Sequence, residues 1–202
     1  LPALLAFDTS GAHCAAAVLR DGLVVAARCE AMAKGQAERL MPLVSETLAE
    51  AGLKFSDLGA IAVGIGPGNF TGIRLSVAAA RGLSLSLGIP AIGVSTLEAL
   101  AEGGPRPMLA LADARRGAAY AQVFRTGGAE DPALVEDAAD LPADLPRIGD
   151  GPGALPAALP LAEAIARVAA ARPGPDHPRP APLYIRPADA APPRDPAPAI
   201  LG

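Results

Sequence analysis

The chain has 202 residues, 51% hydrophobic, 19% charged and 3% aromatic, with 17 Lys and Arg against 21 Asp and Glu for a formal net charge of −4. That balance argues against strong direct binding to a phosphate backbone, which needs clustered cations, and the absence of Trp leaves few platforms for stacking single-stranded bases. No apolar run reaches the roughly 18 residues of a membrane span and no basic flank with a cleavage site opens the sequence, so a cytoplasmic protein is expected. Cys14 and Cys29 lie in no metal-type spacing and are expected to be buried thiols in a reducing compartment. Of the 22 prolines only Pro2, Pro42, Pro67 and Pro90 precede Pro105. A regular domain over 1–103, a smaller one over 104–172 and a proline-rich segment over 173–202 follow from this distribution.

Residues 4–9 and 14–19 are short apolar runs, and Asp21-Gly22 turns the second into a third at 23–27, because Asp-Gly accepts the positive φ angles of a hairpin. From Gln36 the period changes. Leu40, Leu43, Val44, Thr47, Leu48 and Ala51 recur at helical spacing, with a bend expected at Pro42 and a stop at Gly52. Residues 60–65 show no alternation, as expected of a strand covered on both faces. A loop at 66–72 leads to a helix over 73–87, then a strand at 91–94 and a helix capped by Ser95 or Thr96 with Glu98 in its first turn. The order β-β-β-α-β-α-β-α specifies a mixed sheet with helices on its faces. Beyond Pro105, two strands at 108–113 and 118–124 echo the opening hairpin, a helical stripe runs through Leu161, Ile165 and Val168, and 182–186 can dock as an extended segment.

The 73–87 helix is apolar almost all round, so one side is expected to face the sheet and the other either the first helix or a second protein. The loop Gly66-Pro67-Gly68-Asn69-Phe70-Thr71-Gly72 enters its N-terminus, where free N–H groups favour an anion. It fits neither nucleotide motif tested: the P-loop spacing and Lys are missing, and no glycine takes the third place of the dinucleotide fingerprint. A phosphate role and a purely geometric role both remain open on these residues. Arg74 and Arg81 share a helix face and suit a partner's carboxylates, RNA phosphate or plain solvent.

The string Gly66-Pro67-Gly68-Asn69-Phe70-Thr71-Gly72-Ile73-Arg74, with Leu5-Ala6-Phe7-Asp8-Thr9-Ser10, Val94-Ser95-Thr96-Leu97, Asp113-Ala114-Arg115-Arg116-Gly117 and Tyr184-Ile185-Arg186, closely resembles the TsaB (YeaZ) family. The match is strong over residues 4–124. The resemblance implies an α/β fold of the actin-like ATPase (ASKHA) class, with two lobes of mixed sheet flanked by helices and the second lobe reduced. It also implies a non-catalytic subunit of the machinery that makes N6-threonylcarbamoyladenosine at A37 of tRNA. Its partner would be TsaD, with TsaE reached through TsaD, tRNA touched indirectly, no membrane, and a homodimer when alone. The first two helices would form the contact, with Leu40, Leu43, Val44, Thr47, Ile73, Val77, Ala80 and Leu83 as interface residues. Gly66, Pro67, Gly68, Phe70, Thr71, Gly72 and Arg74 carry the family loop.

Asp8, Thr9 and Ser10 stand where actin-like enzymes have a phosphate hairpin, but glycine comes only at Gly11, and in the second lobe only at Gly117. ATP binding by the isolated chain is therefore not expected, and no cofactor is. A nucleotide-dependent phosphotransferase of the same fold is the alternative. Metal hydrolysis is unsupported, because His13 and His177 are the only histidines and cannot pair on one helix. No Gly-x-Ser-x-Gly elbow supports Ser-His-Asp catalysis, and His13 is read as a turn residue.

Overall fold

A computed structural model describes residues 2–151, 153–172 and 177–185. The first three strands, β1 (Ala3–Asp8), β2 (His13–Arg20) and β3 (Leu23–Ala31), form an antiparallel meander. Asp21 and Gly22 both have positive φ, 52° and 78°, as the expected hairpin turn requires. Helix α1 (Gln36–Glu50) then crosses to β4 (Leu58–Gly64), and α2 (Phe70–Leu87) crosses to β5 (Ala91–Val94). The sheet order is β3-β2-β1-β4-β5, with β1, β4 and β5 parallel. All six residues of β1 are buried, because helices cover both faces of this sheet.

The amphipathic stripe of α1 and the inner side of α2 pack on one face, where Leu40, Leu43, Val44, Leu48 and Ala80 meet Leu5, Phe7, Val18, Ile61 and Val63. The other face is covered by α4 (Leu161–Ala170), whose Ala164, Ile165 and Ala169 meet Leu4, Ala6, Ile92 and Val94. Helix α3 (Thr96–Ala101) has the expected capping box between Ser95 and Glu98. It packs instead on the second sheet, placing Leu97, Leu100 and Ala101 against Met108, Ala110, Phe124 and Ile148. The two helices are thus exchanged relative to the division at residue 103: α3 serves the second sheet and α4 returns to the first. Arg172 ties the exchange down, donating to the Gly93 carbonyl and to Glu98 Oε1.

The second sheet contains β6 (Met108–Asp113), β7 (Ala119–Arg125), β8 (Gly128–Ala129), β9 (Ala133–Val135) and β10 (Arg147–Gly149). Its pairing repeats that of the first: β6 is antiparallel to the following β7 and parallel to the later β10, as β1 is to β2 and β4. The two-lobed architecture with a reduced second lobe, expected of the actin-like class, is present. Of the proline-rich segment, 177–185 lies within the described residues and the remainder, with Arg186, outside them.

Candidate functional site

A cleft of about 940 Å³ separates the lobes, between the β1–β2 turn, the family loop and the β6–β7 turn. The strands β1 and β6 deliver Asp8 and Asp113 to equivalent ends of their sheets. Each carboxylate accepts the backbone N–H two residues on, Ser10 N to Asp8 Oδ1 and Arg115 N to Asp113 Oδ1, both at 2.8 Å. Amides that a phosphate hairpin would present to a ligand are here turned onto the chain's own aspartates.

The family loop is pressed onto the first of these turns. Asn69 N donates to the Ser10 carbonyl at 2.6 Å, and Thr9 Oγ1 donates to the Gly72 carbonyl at 2.7 Å. A Cβ at Gly72 would lie 1.8 Å from the Thr9 carbonyl oxygen. The Asn69 side chain caps α2 by accepting from Gly72 N at 3.0 Å, which starts the helix at Phe70, three residues before the sequence pattern does. The glycine loop therefore serves close backbone approach and helix capping.

Asp8 is fully buried, and its Oδ1 also accepts from Ser10 Oγ at 2.8 Å and from His13 Nε2 at 2.7 Å. His13 begins β2 and is held by this contact, so the reading of it as a turn residue is corrected. Ser10, His13 and Asp8 do come together, but the hydroxyl and the imidazole both donate to one carboxylate oxygen. The serine is not positioned to give its proton to the histidine, as nucleophilic catalysis requires. The hydrogen bond to Asp8 raises the His13 pKa above its ordinary 6.5, against the opposing effect of burial, with further support from the charges of Asp8 and Asp150. Since the folded value is the higher one, this pair's stabilisation is complete below about pH 6.5 and is lost as pH rises through the folded pKa. The melting-temperature difference between wild type and His13→Gln is expected to shrink between about pH 6 and pH 9. A difference that stays constant across that range would contradict the charged pair.

At the rim of the cleft Phe70 stacks on Tyr184 with centroids 5.2 Å apart, and the Arg74 guanidinium lies 3.7 Å from the Phe70 centroid. Arg74 Nε donates to Tyr184 Oη at 2.8 Å. Leu183 N donates to the Ile65 carbonyl at 2.8 Å and Ile185 packs with the α3 cluster, so the extended segment runs from the first lobe to the second. Two family motifs 110 residues apart thus meet, and Arg74 is engaged within the chain. The sequence carried no periodic signal for this contact.

Seven of the eight interface residues expected from the resemblance occupy the chain's own core. Leu40, Leu43, Val44, Thr47, Ile73, Val77 and Ala80 are at most 2% exposed, and only Leu83 is half-buried. The stripe that defines an amphipathic helix faces the sheet first. Among the residues that point outward from the same helices are Met41 on α1, and Ala78, Arg81, Gly82 and Leu85 on α2; Leu85 is 84% exposed. Beside this layer, Arg39 of α1 is forked between Glu30 and Glu46 at 2.6–2.7 Å, which lowers both carboxyl pKa values and raises that of the guanidinium. Cys14 is buried, and burial pushes its thiol up to about 11, whereas Cys29 is exposed on β3, contrary to expectation. No group of three metal-ligating side chains occurs among the described residues.

The repeated strand pairing and the interlobe cleft define a two-lobed α/β protein of the actin-like ATPase class. The chain matches the family model described as TsaD: tRNA N6-adenosine threonylcarbamoyltransferase over residues 29–177. It is 31% identical to the solved structure of YeaZ from Pseudomonas aeruginosa, with a TM-score of 0.69 over 84% of this chain and 91% of that one. The chain belongs to the TsaB (YeaZ) family. It is 39% identical to the Escherichia coli tRNA threonylcarbamoyladenosine biosynthesis protein TsaB over 122 residues, covering 58% of this chain and 52% of that protein. An uncharacterised protein of Mycobacterium tuberculosis is 36% identical over 198 residues, 94% of each chain. The alignment to the E. coli TsaB thus spans about half of that relative's length.

Proposed function

We propose that this chain is a non-catalytic subunit of the machinery that makes N6-threonylcarbamoyladenosine in tRNA, and that it activates TsaD by binding it through the outer side of α1 and α2. One observation carries the reading: Leu85 stands 84% exposed between the half-buried Leu83 and Leu87, with Met41 outward on the neighbouring helix. A partner that covered this layer would take the most exposed large apolar side chain of α2 out of water, beyond what the filled core already buries. TsaE joins through TsaD, tRNA is met through the complex, and the site of action is the cytoplasm; no helix among the described residues is long and apolar enough to cross a membrane. Without TsaD the same face pairs two copies of the chain. Co-purification with TsaD of the same genome tests the contact, and a Leu85→Glu chain that is retained as well as wild type would contradict it.

A phosphotransferase reading is favoured by one feature, the cleft between two aspartate-ended turns. It is weakened by the internal use of the Ser10 and Arg115 amides. Calorimetry of the isolated chain with ATP and Mg²⁺ is expected to give no micromolar binding. Such binding, abolished by Asp8→Ala, would overturn the non-catalytic assignment.

A further inference from the structure

A second groove, of about 740 Å³, lies between the C-terminal half of α2 and the segment that begins at His177. Arg81, Leu85, Pro90, His177, Arg179 and Pro180 are among the residues that form it. Two facts define its chemistry. The chain as a whole is acidic, yet the groove's charged side chains are two arginines, joined by a histidine, and no carboxylate lines it among the described residues. Arg81 and Arg179 pair with no carboxylate among the described residues, as is also true of Arg74, Arg106, Arg115, Arg116 and Arg167, whereas Arg28, Arg39, Arg125 and Arg172 each hold one within 3 Å. Leu85 lines the same groove and, at 84%, is the most open of the exposed large apolar side chains among the described residues.

An exposed leucine in a groove with two guanidinium groups that hold no carboxylate among the described residues is complementary to a segment that offers an apolar pocket with carboxylates beside it. Arginine suits such a rim, since its fork can hold a carboxylate in two parallel hydrogen bonds. RNA fits less well: two arginines release few counterions, and a leucine anchor has nothing to gain from a phosphate backbone. We propose that this groove receives an acidic segment of the partner protein, with Leu85 buried in that segment and Arg81 and Arg179 paired with its carboxylates. The proposal rests on the TsaD reading above and adds to it the chemistry by which the partner is chosen. Steering by such a rim raises the association rate and is screened by salt.

The test is the affinity of the full chain for TsaD of the same genome, measured by calorimetry at about 50 mM and about 500 mM salt. Wild-type affinity is expected to fall with salt, and Arg81→Glu with Arg179→Glu to weaken binding about tenfold or more at low salt. The neutral pair Arg81→Gln with Arg179→Gln should fall between, and thermal melts of all chains should coincide, because neither arginine supports the fold. A reversed pair that binds TsaD like wild type would overturn the groove's role while leaving the function intact. So would a reversed pair that keeps TsaD affinity but loses tRNA in a filter-binding assay, which would make the groove an RNA contact. If wild type fails to bind TsaD at all, the functional reading falls and the groove proposal with it.

Discussion

Gly72→Ala is expected to destabilise the chain by about 3 kcal/mol or more, or to prevent folding. The added carbon would stand 1.8 Å from the Thr9 carbonyl oxygen, and neither side can yield cheaply. Gly72 lies in the first turn of α2, fixed by the Asn69 cap, and its carbonyl receives the Thr9 hydroxyl. Thr9 lies in the β1–β2 turn, held by the Asp8 carboxylate through Ser10 and His13. Separating the two backbones would break the Asn69 to Ser10 bond and open the buried face of α2. Gly82→Ala, on the outer side of the same helix, meets nothing within 4 Å and is expected to be neutral or mildly stabilising. Chemical denaturation of the two variants beside wild type measures the contrast. Equal stability of all three would mean that the loop and the turn are not in contact.

The second large effect separates the two sides of the helical layer. Leu43→Glu puts a carboxylate into a fully buried site against the first sheet, and the chain is expected to unfold or aggregate. Leu85→Glu adds the same charge where the side chain is 84% exposed, so the melting temperature should stay near that of wild type. Its expected effect falls on association, with TsaD affinity lowered about a hundredfold, as for a central apolar anchor. Near-equal melting of Leu43→Glu and wild type would contradict the assignment of that stripe to the chain's own core.

These contrasts also mark how far the residues could be read in advance. The three-strand meander, α1, β4, β5 and the Ser95–Glu98 capping box were legible because each rests on a local rule, a period or a turn dipeptide. The stripe Leu40, Leu43, Val44 and Thr47 was legible as apolar, but a helical period does not say whether a sheet or a partner lies opposite. Exposure resolves it, and exposure is a tertiary property. The exchange of α3 and α4 between lobes had no local signal, since both helices are apolar enough for either sheet. The strands β8, β9 and β10 are two or three residues long, too short for any period to register. Within the cleft, Asp8, Thr9 and Ser10 are legible from the resemblance as the phosphate-hairpin position, without the glycine it usually carries. Their mutual hydrogen bonds, the role of His13 and the Phe70, Arg74 and Tyr184 cluster depend on side chains meeting across the fold. The glycines of the family loop were visible, and their reason emerged only with the Thr9 and Ser10 carbonyls beside them.

Formation of N6-threonylcarbamoyladenosine on tRNA by purified TsaD and TsaE with the threonylcarbamoyl donor, with and without this chain, tests the proposed role most directly. Modification is expected to require the wild-type chain and to be lost with Leu85→Glu, whose fold remains intact. Modification that proceeds equally without the chain, or equally with Leu85→Glu, would contradict activation of TsaD through the outer face of α1 and α2.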